Sequence, residues 1–169
     1  MPDGEPGELL ARGPQVFAGY LNNPEANERA FHDGWFRTGD MAIMEPDGWI
    51  RLVARIKEMV ITGGFNVYPD EVEGVMREHP DIDDIAVVGR PRHDGSEDVV
   101  ACITLVDGAA LDPDGLQKYA RERLTRYKVP KTFYHFEELK RDQTGKIRRR
   151  EVRDMLVDTL EAGHEVTEP

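Results

Sequence analysis

Apolar positions along this chain switch repeatedly between a strand-like and a helix-like spacing, and the switches mark out its elements. Residues 7–12 (GELLAR) and 48–53 (GWIRLV) alternate or run apolar between glycines, as short strands do. Between them residues 25–31 form a short helical stretch, with Asn23 placed to cap it ahead of Pro24. Asp33-Gly34 and Asp47-Gly48 are turn dipeptides. Ile50, Leu52 and Val53 lead into a charged turn, Arg55-Ile56-Lys57-Glu58. A second apolar run, Met59-Val60-Ile61, ends at Gly63-Gly64. Two adjacent glycines suit a backbone that needs positive φ or the close approach of another molecule.

Beyond that pair, Tyr68-Pro69-Asp70 opens a helix over 70–79, with Val72, Val75 and Met76 on one face. Strands are expected at 82–89 and 98–106, joined by a turn at Asp94-Gly95-Ser96. A helix over 114–127 carries Leu116, Tyr119, Ala120, Leu124 and Tyr127 in one stripe. A strand at 132–136, a polar loop and a last helix over 149–160 complete the pattern. Strands and helices interleaved at short spacing predict an α/β (α+β) fold, a small sheet covered by helices and preceded by a β-rich segment. That segment, about 55 residues, is marginal as an independent fold and reads as the end of a larger domain. The expected organisation is therefore 1–56, 57–160 and a frayed tail at 161–169.

Composition narrows the class. Hydrophobic residues at 39% and charged residues at 33% describe a soluble globular chain, and no apolar run approaches the length of about 20 residues that spans a bilayer. The N-terminus lacks the basic and apolar regions of a signal peptide. The single Cys102 suits a reducing compartment, so a cytoplasmic setting is expected. A formal charge of −11 argues against nucleic-acid binding. His79, His93, His135 and Cys102 show no metal-ligand spacing and read as structural, so no metal site is expected.

Three stretches carry candidate chemistry. Taken alone, Gly34-Trp35-Phe36-Arg37-Thr38-Gly39-Asp40 is a turn with aromatics anchoring a strand. Residues 51–73 (RLVARIKEMVITGGFNVYPDEVE) are a strand, a hinge-like turn, a tight loop and a capped helix. Gln143-Thr144-Gly145-Lys146-Ile147 is a solvated basic turn before a helix.

Together the three resemble motifs of the adenylate-forming acyl-CoA synthetases, a superfamily that includes peptide-synthetase adenylation domains and luciferases. Arg55, Lys57, Glu58, Val60, Gly63, Gly64, Asn66, Val67, Pro69, Glu71, Val72 and Glu73 stand at matching positions of the segment joining that family's two domains. The resemblance covers about residues 4–158 and corresponds to the C-terminal third of such an enzyme. It implies that Asp40 binds the ribose hydroxyls of the adenylate, for which a carboxylate is apt. It implies that Arg55 contacts the nucleotide and that Lys57 is the hinge of a domain rotation. Gly63 and Gly64 would then line the path of the coenzyme A thiol. Lys146 would be the catalytic lysine, an ammonium stabilising charge during attack on the α-phosphate.

The implied ligands are ATP/AMP, with Mg2+ on the phosphates, and coenzyme A, and the implied substrate is a carboxylic acid, with a fatty acid favoured. A carrier protein as thiol acceptor, or a non-catalytic interaction module, are the alternatives. The family's Ser/Thr/Gly-rich phosphate loop and acyl pocket have no counterpart here, so the partner expected is a large N-terminal domain and the chain alone should be inactive. The chain departs from the pattern at Ala54 and Lys140, where the family has glycine and proline, and at Gly95-Ser96-Glu97, where it has W-G-E. Arg148, Arg149 and Arg150 could meet phosphates, with a solvated helix face as the favoured reading.

Overall fold

A computed structural model describes residues 4–161, which form two compact units that part between Lys57 and Glu58. In the first unit β1 (Pro6–Ala11) pairs antiparallel with the long β3 (Trp35–Met44), whose other edge carries β2 (Phe31–His32) and β4 (Ile50–Arg55). The short α1 (Pro24–Ala30) lies between β1 and β2 in the chain. Asn23 caps it as its chemistry predicts, its side-chain oxygen accepting from the Ala26 amide at 3.0 Å. Phe17, Tyr20, Phe31 and Phe36 meet in a cluster of tilted and edge-on rings 5.1–5.6 Å apart. There is little core beneath them. Among the described residues of this unit only Ala42 and Ala54 are buried hydrophobics, while Leu21 is 89% and Trp49 75% exposed.

The second unit follows a 3₁₀ turn at Ile56–Glu58. A hairpin of β5 (Val60–Thr62) and β6 (Phe65–Val67) comes next, then α2 (Pro69–Met76). Strands β7 (Ile82–Pro91) and β8 (Glu97–Leu105) pair antiparallel along their length. After α3 (Pro113–Arg123) and a 3₁₀ turn at Arg126–Lys128, β9 (Thr132–His135) joins β8 in parallel, which makes the three-stranded sheet mixed. The last helix, α4, spans Arg149–Glu161.

Both faces of that sheet are covered, and the strand sequences divide between them by strict alternation. Ile85, Val87, Val99, Ala101, Ile103 and Phe133 point to one face, where they pack with Val72 and Met76 of α2 and Leu116 and Ala120 of α3. Ala86, Val88, Val100, Cys102 and Tyr134 point to the other, against Val152 and Leu156 of α4. Cys102 is a core residue, fully buried, and its desolvation pushes the thiol pKa up to about 12.

Three local expectations are corrected. Residues 65–67 are a strand, because Gly63 and Gly64, with φ of +54° and +81°, form a two-residue hairpin turn that returns the chain onto β5. The helix expected to run to residue 79 ends at Met76, since Pro80 disfavours helical backbone at His79, and the last amides close as single turns. The helix expected to reach residue 127 ends at Arg123. Leu124 turns extended, and Tyr127 then reaches the same core from a 3₁₀ turn. The frayed tail expected from residue 161 lies outside the described residues, except that Glu161 ends α4.

Phe133 is 1% exposed at the centre of the larger face. Phe133→Ala should cost the second unit about 3–5 kcal/mol in urea unfolding. Alanine at the exposed Glu137 should change stability by less than about 0.5 kcal/mol.

Candidate functional site

In the first unit the structure brings Asp40 and Arg55 together. They are direct partners across the β3–β4 ladder, and Arg55 Nε lies 3.0 Å from Asp40 Oδ1. The aim of Asp40 comes from an irregularity in β3. Leu10 pairs with Arg37 and Glu8 with Met41, so Thr38, Gly39 and Asp40 bulge opposite a single residue of β1. Gly39 takes a φ of +73° in that bulge. The Thr38 hydroxyl holds it, donating to the Leu9 carbonyl at 2.8 Å and accepting from the Asp40 amide at 3.1 Å. The carboxylate is half-buried and engaged through one oxygen.

Lys57 is exposed, the last residue of its unit, within the 3₁₀ turn. Gly63 and Gly64 form the tip of the β5–β6 hairpin. A side chain added at either would meet nothing within 4 Å, so within this unit the positive φ alone calls for glycine and the space beside the backbone stays open. Beside the tip, Phe65 stacks on Tyr127 with ring centres 4.5 Å apart.

Lys146 closes a tight turn. The Asp142 amide donates to the Lys146 carbonyl at 2.8 Å, and Arg141 bridges to Ile147. One carboxylate organises the loop, with Asp142 Oδ1 accepting from the Thr144 hydroxyl and from the amides of Thr144 and Lys146 at 2.6–3.0 Å. Those bonds, the hydroxyl's first, hold the Asp142 carboxyl below its usual pKa range. Lys146 itself is exposed, and its ammonium forms no ion pair among the described residues. The loop is thus ordered by its own side chain and needs no proline at Lys140.

Arg149 corrects the expectation of a solvated helix face. Its side chain is only 12% exposed and is clamped by carboxylates from two other segments. Nε donates to Glu73 Oε1 at 2.9 Å, Nη2 to Glu73 Oε2 at 2.8 Å and also to Asp70, and Nη1 to Glu58 Oε2 at 2.7 Å. Burial opposes its charge, but Glu73, Asp70 and Glu58 outweigh that and raise the guanidinium pKa above its ordinary value. Arg148 and Arg150 remain exposed. Sequence reasoning missed Glu73 as a buried partner. The signal was there, since Glu73 sits next to Val72 and three residues before Met76, on the face that a helical period buries. Among the described residues no cluster of His, Cys, Asp or Glu could hold a metal ion, and no helix is long and apolar enough to cross a membrane.

Residues 71–146, from α2 through the mixed sheet to the lysine turn, match the family model of the C-terminal domain of AMP-binding enzymes. Over about nine-tenths of its length the chain is similar to the C-terminal portion of CoA ligases. It is 42% identical over 154 residues to a long-chain-fatty-acid–CoA ligase of Escherichia coli O6:H1, covering 91% of this chain and 27% of that enzyme. An indoleacetate–CoA ligase of Aromatoleum aromaticum is 41% identical over 153 residues, 90% of this chain and 30% of the relative. The crystal structure of ATP-bound MatB from Rhodopseudomonas palustris superposes with a TM-score of 0.86 at 34% identity, over 94% of this chain and 32% of that one. The chain thus spans less than a third of the length of these relatives.

Asp142 sets a pH dependence for the Lys146 turn. Because its folded pKa is lowered, its contribution is complete above the ordinary carboxylate value and is lost as pH falls through the lowered one. The Thr144 and Lys146 amide resonances should titrate together in that acidic window. In Asp142→Ala both titrations should vanish, and the two amides should exchange faster with solvent.

Proposed function

We propose that this chain supplies the C-terminal portion of an AMP-forming acid–thiol ligase that activates a carboxylic acid with ATP and passes the acyl group to coenzyme A. The observation that carries the reading is the free Lys146 ammonium on a turn preorganised by Asp142. A fatty acid is the favoured substrate, given the similarity to long-chain-fatty-acid–CoA ligases.

In this reading the segment up to Lys57 is the end of a large adenylating domain, and residues 58–161 are a domain that moves against it. Exposed apolar side chains such as Leu21 and Trp49 suit a segment made to be covered. Asp40 accepts hydrogen bonds from the ribose hydroxyls through the oxygen that Arg55 leaves open, while Arg55 itself faces the nucleotide. The acid's carboxylate oxygen attacks the α-phosphorus, the bond to the pyrophosphate oxygen breaks, and Lys146 stabilises the charge that builds on the phosphate. Mg2+ arrives with the phosphates. Rotation about Lys57 then withdraws Lys146 and brings the glycine hairpin forward. There the thiol attacks the acyl carbon, AMP leaves, and the bare backbone at Gly63 and Gly64 leaves room for the pantetheine arm. A phosphate loop and acyl pocket lie in the large domain, so the chain alone is inactive. The buried, reduced Cys102 suits a cytoplasmic setting.

Pyrophosphate release from ATP, Mg2+ and a panel of fatty and aromatic acids tests this. The chain alone should be silent, and mixing it with a large N-terminal synthetase domain should restore release. Lys146→Ala should lower the restored rate by about 10²–10³-fold. Release by the unassisted chain, or restoration indifferent to Lys146, would overturn the reading. Silence with every large domain tried would favour an interaction module. Supplying coenzyme A or a phosphopantetheine carrier protein as acceptor then separates the two thiol partners.

A further inference from the structure

Arg149 begins α4 three residues after Lys146, and the carboxylates it grips flank the glycine hairpin on both sides. Glu58 immediately precedes the Met59-Val60 entry to β5, and Asp70 and Glu73 lie in the helix that follows β6. A single planar guanidinium therefore pins both ends of the β5–β6 hairpin to the helix that carries the lysine turn. Lysine, a point charge with no fork, cannot span the same carboxylates.

One helical turn further along α4, Arg153 Nη2 donates to Glu97 Oε1 at 3.0 Å. Glu97 uses Oε2 to accept the Ile61 amide of β5 at 3.2 Å. This second tie reaches the hairpin strand itself. It also accounts for Gly89, where an added side chain would run into the Glu97 carboxylate at 2.6–2.8 Å. Val60 and Val67 anchor the hairpin in the larger core and Phe65 stacks on Tyr127, so the two ties add polar, directional holds to an apolar seat whose outer residues, Ile61 and Phe65, are half-exposed.

We propose that Arg149 and Arg153 are positioning residues that lock the glycine hairpin and the Lys146 turn into one rigid body. Resting on the reading above, this means that a rotation presenting one of these elements withdraws the other without deforming either. Removing a brace should then impair both half-reactions alike, although neither arginine touches substrate.

The first test needs no activity. In amide hydrogen exchange on the full chain, Arg149→Lys should raise exchange of residues 58–73 by about tenfold and leave β8 unchanged. A uniform rise across the unit would mean general destabilisation, and no change would mean no brace; either overturns the proposal. If Arg149→Lys does not fold, Arg153→Met reads the second tie. A rise confined to Ile61 and its neighbours supports the brace, and unaltered or uniform exchange refutes it.

The second test uses the chain together with the large domain. Each variant should lower adenylate formation and thioester formation by the same factor, with KM for ATP unchanged. A loss in one half-reaction alone would refute the rigid coupling. Wild-type silence in this assay would sink the functional reading while the exchange result still decides the brace.

Discussion

Glu73 is a carboxylate with almost no access to water, 1% exposed among Val72, Met76 and the first strand of the main sheet. Stranding a charge there would cost several kcal/mol, so its environment must supply what water does not. Oε1 accepts from the Val87 amide at 2.9 Å and from Arg149 Nε, and Oε2 accepts from Arg149 and Arg77. Those donors come from the residue that caps the end of α2, from β7 and from α4, so satisfying one carboxylate fixes the mutual placement of three elements. Removing either partner of the Glu73–Arg149 pair leaves the other charge buried, a loss of about 3–5 kcal/mol for pairs of this kind. The second unit could have been built with a hydrophobic pair at this place; what the ion pair adds is a single allowed docking of α4.

That docking has consequences at both ends of the unit. The apolar stripe of α4, Val152 and Leu156, would pack against the smaller face of the sheet in several nearby positions, since dispersion is not directional. The guanidinium selects one of them. It thereby fixes where the Lys146 turn leaves the sheet and where the glycine hairpin begins. The first unit shows another device for aiming a side chain, in which the Thr38-Gly39-Asp40 bulge turns one carboxylate toward Arg55 within an otherwise regular ladder.

Elements held by local chemistry were legible in the sequence. The Asn23 cap, the turn at Asp94-Gly95-Ser96, and the apolar runs of β7 and β8 each depend on neighbours within a few residues. The misreadings share a cause. Helix α3 continues by periodicity to residue 127, but Leu124 and Tyr127 reach the core better from an extended residue and a 3₁₀ turn. Residues 65–67 are too short to show a period at all, and became a strand because the glycine turn folded them back on β5.

By itself the sequence determined the kinds of element, the apolar strands of a covered sheet, and the three motifs with their spacing, because these are properties of adjacent residues and their allowed dihedrals. Only the tertiary structure decided which charges are buried and what they hold. Arg149 reads as one of three consecutive surface arginines, and its partners Glu73 and Glu58 lie 76 and 91 residues away. Nothing in a local window distinguishes it from Arg148 or Arg150. The difference arises when packing removes water from one of the three and leaves a guanidinium that must find its carboxylates across the fold.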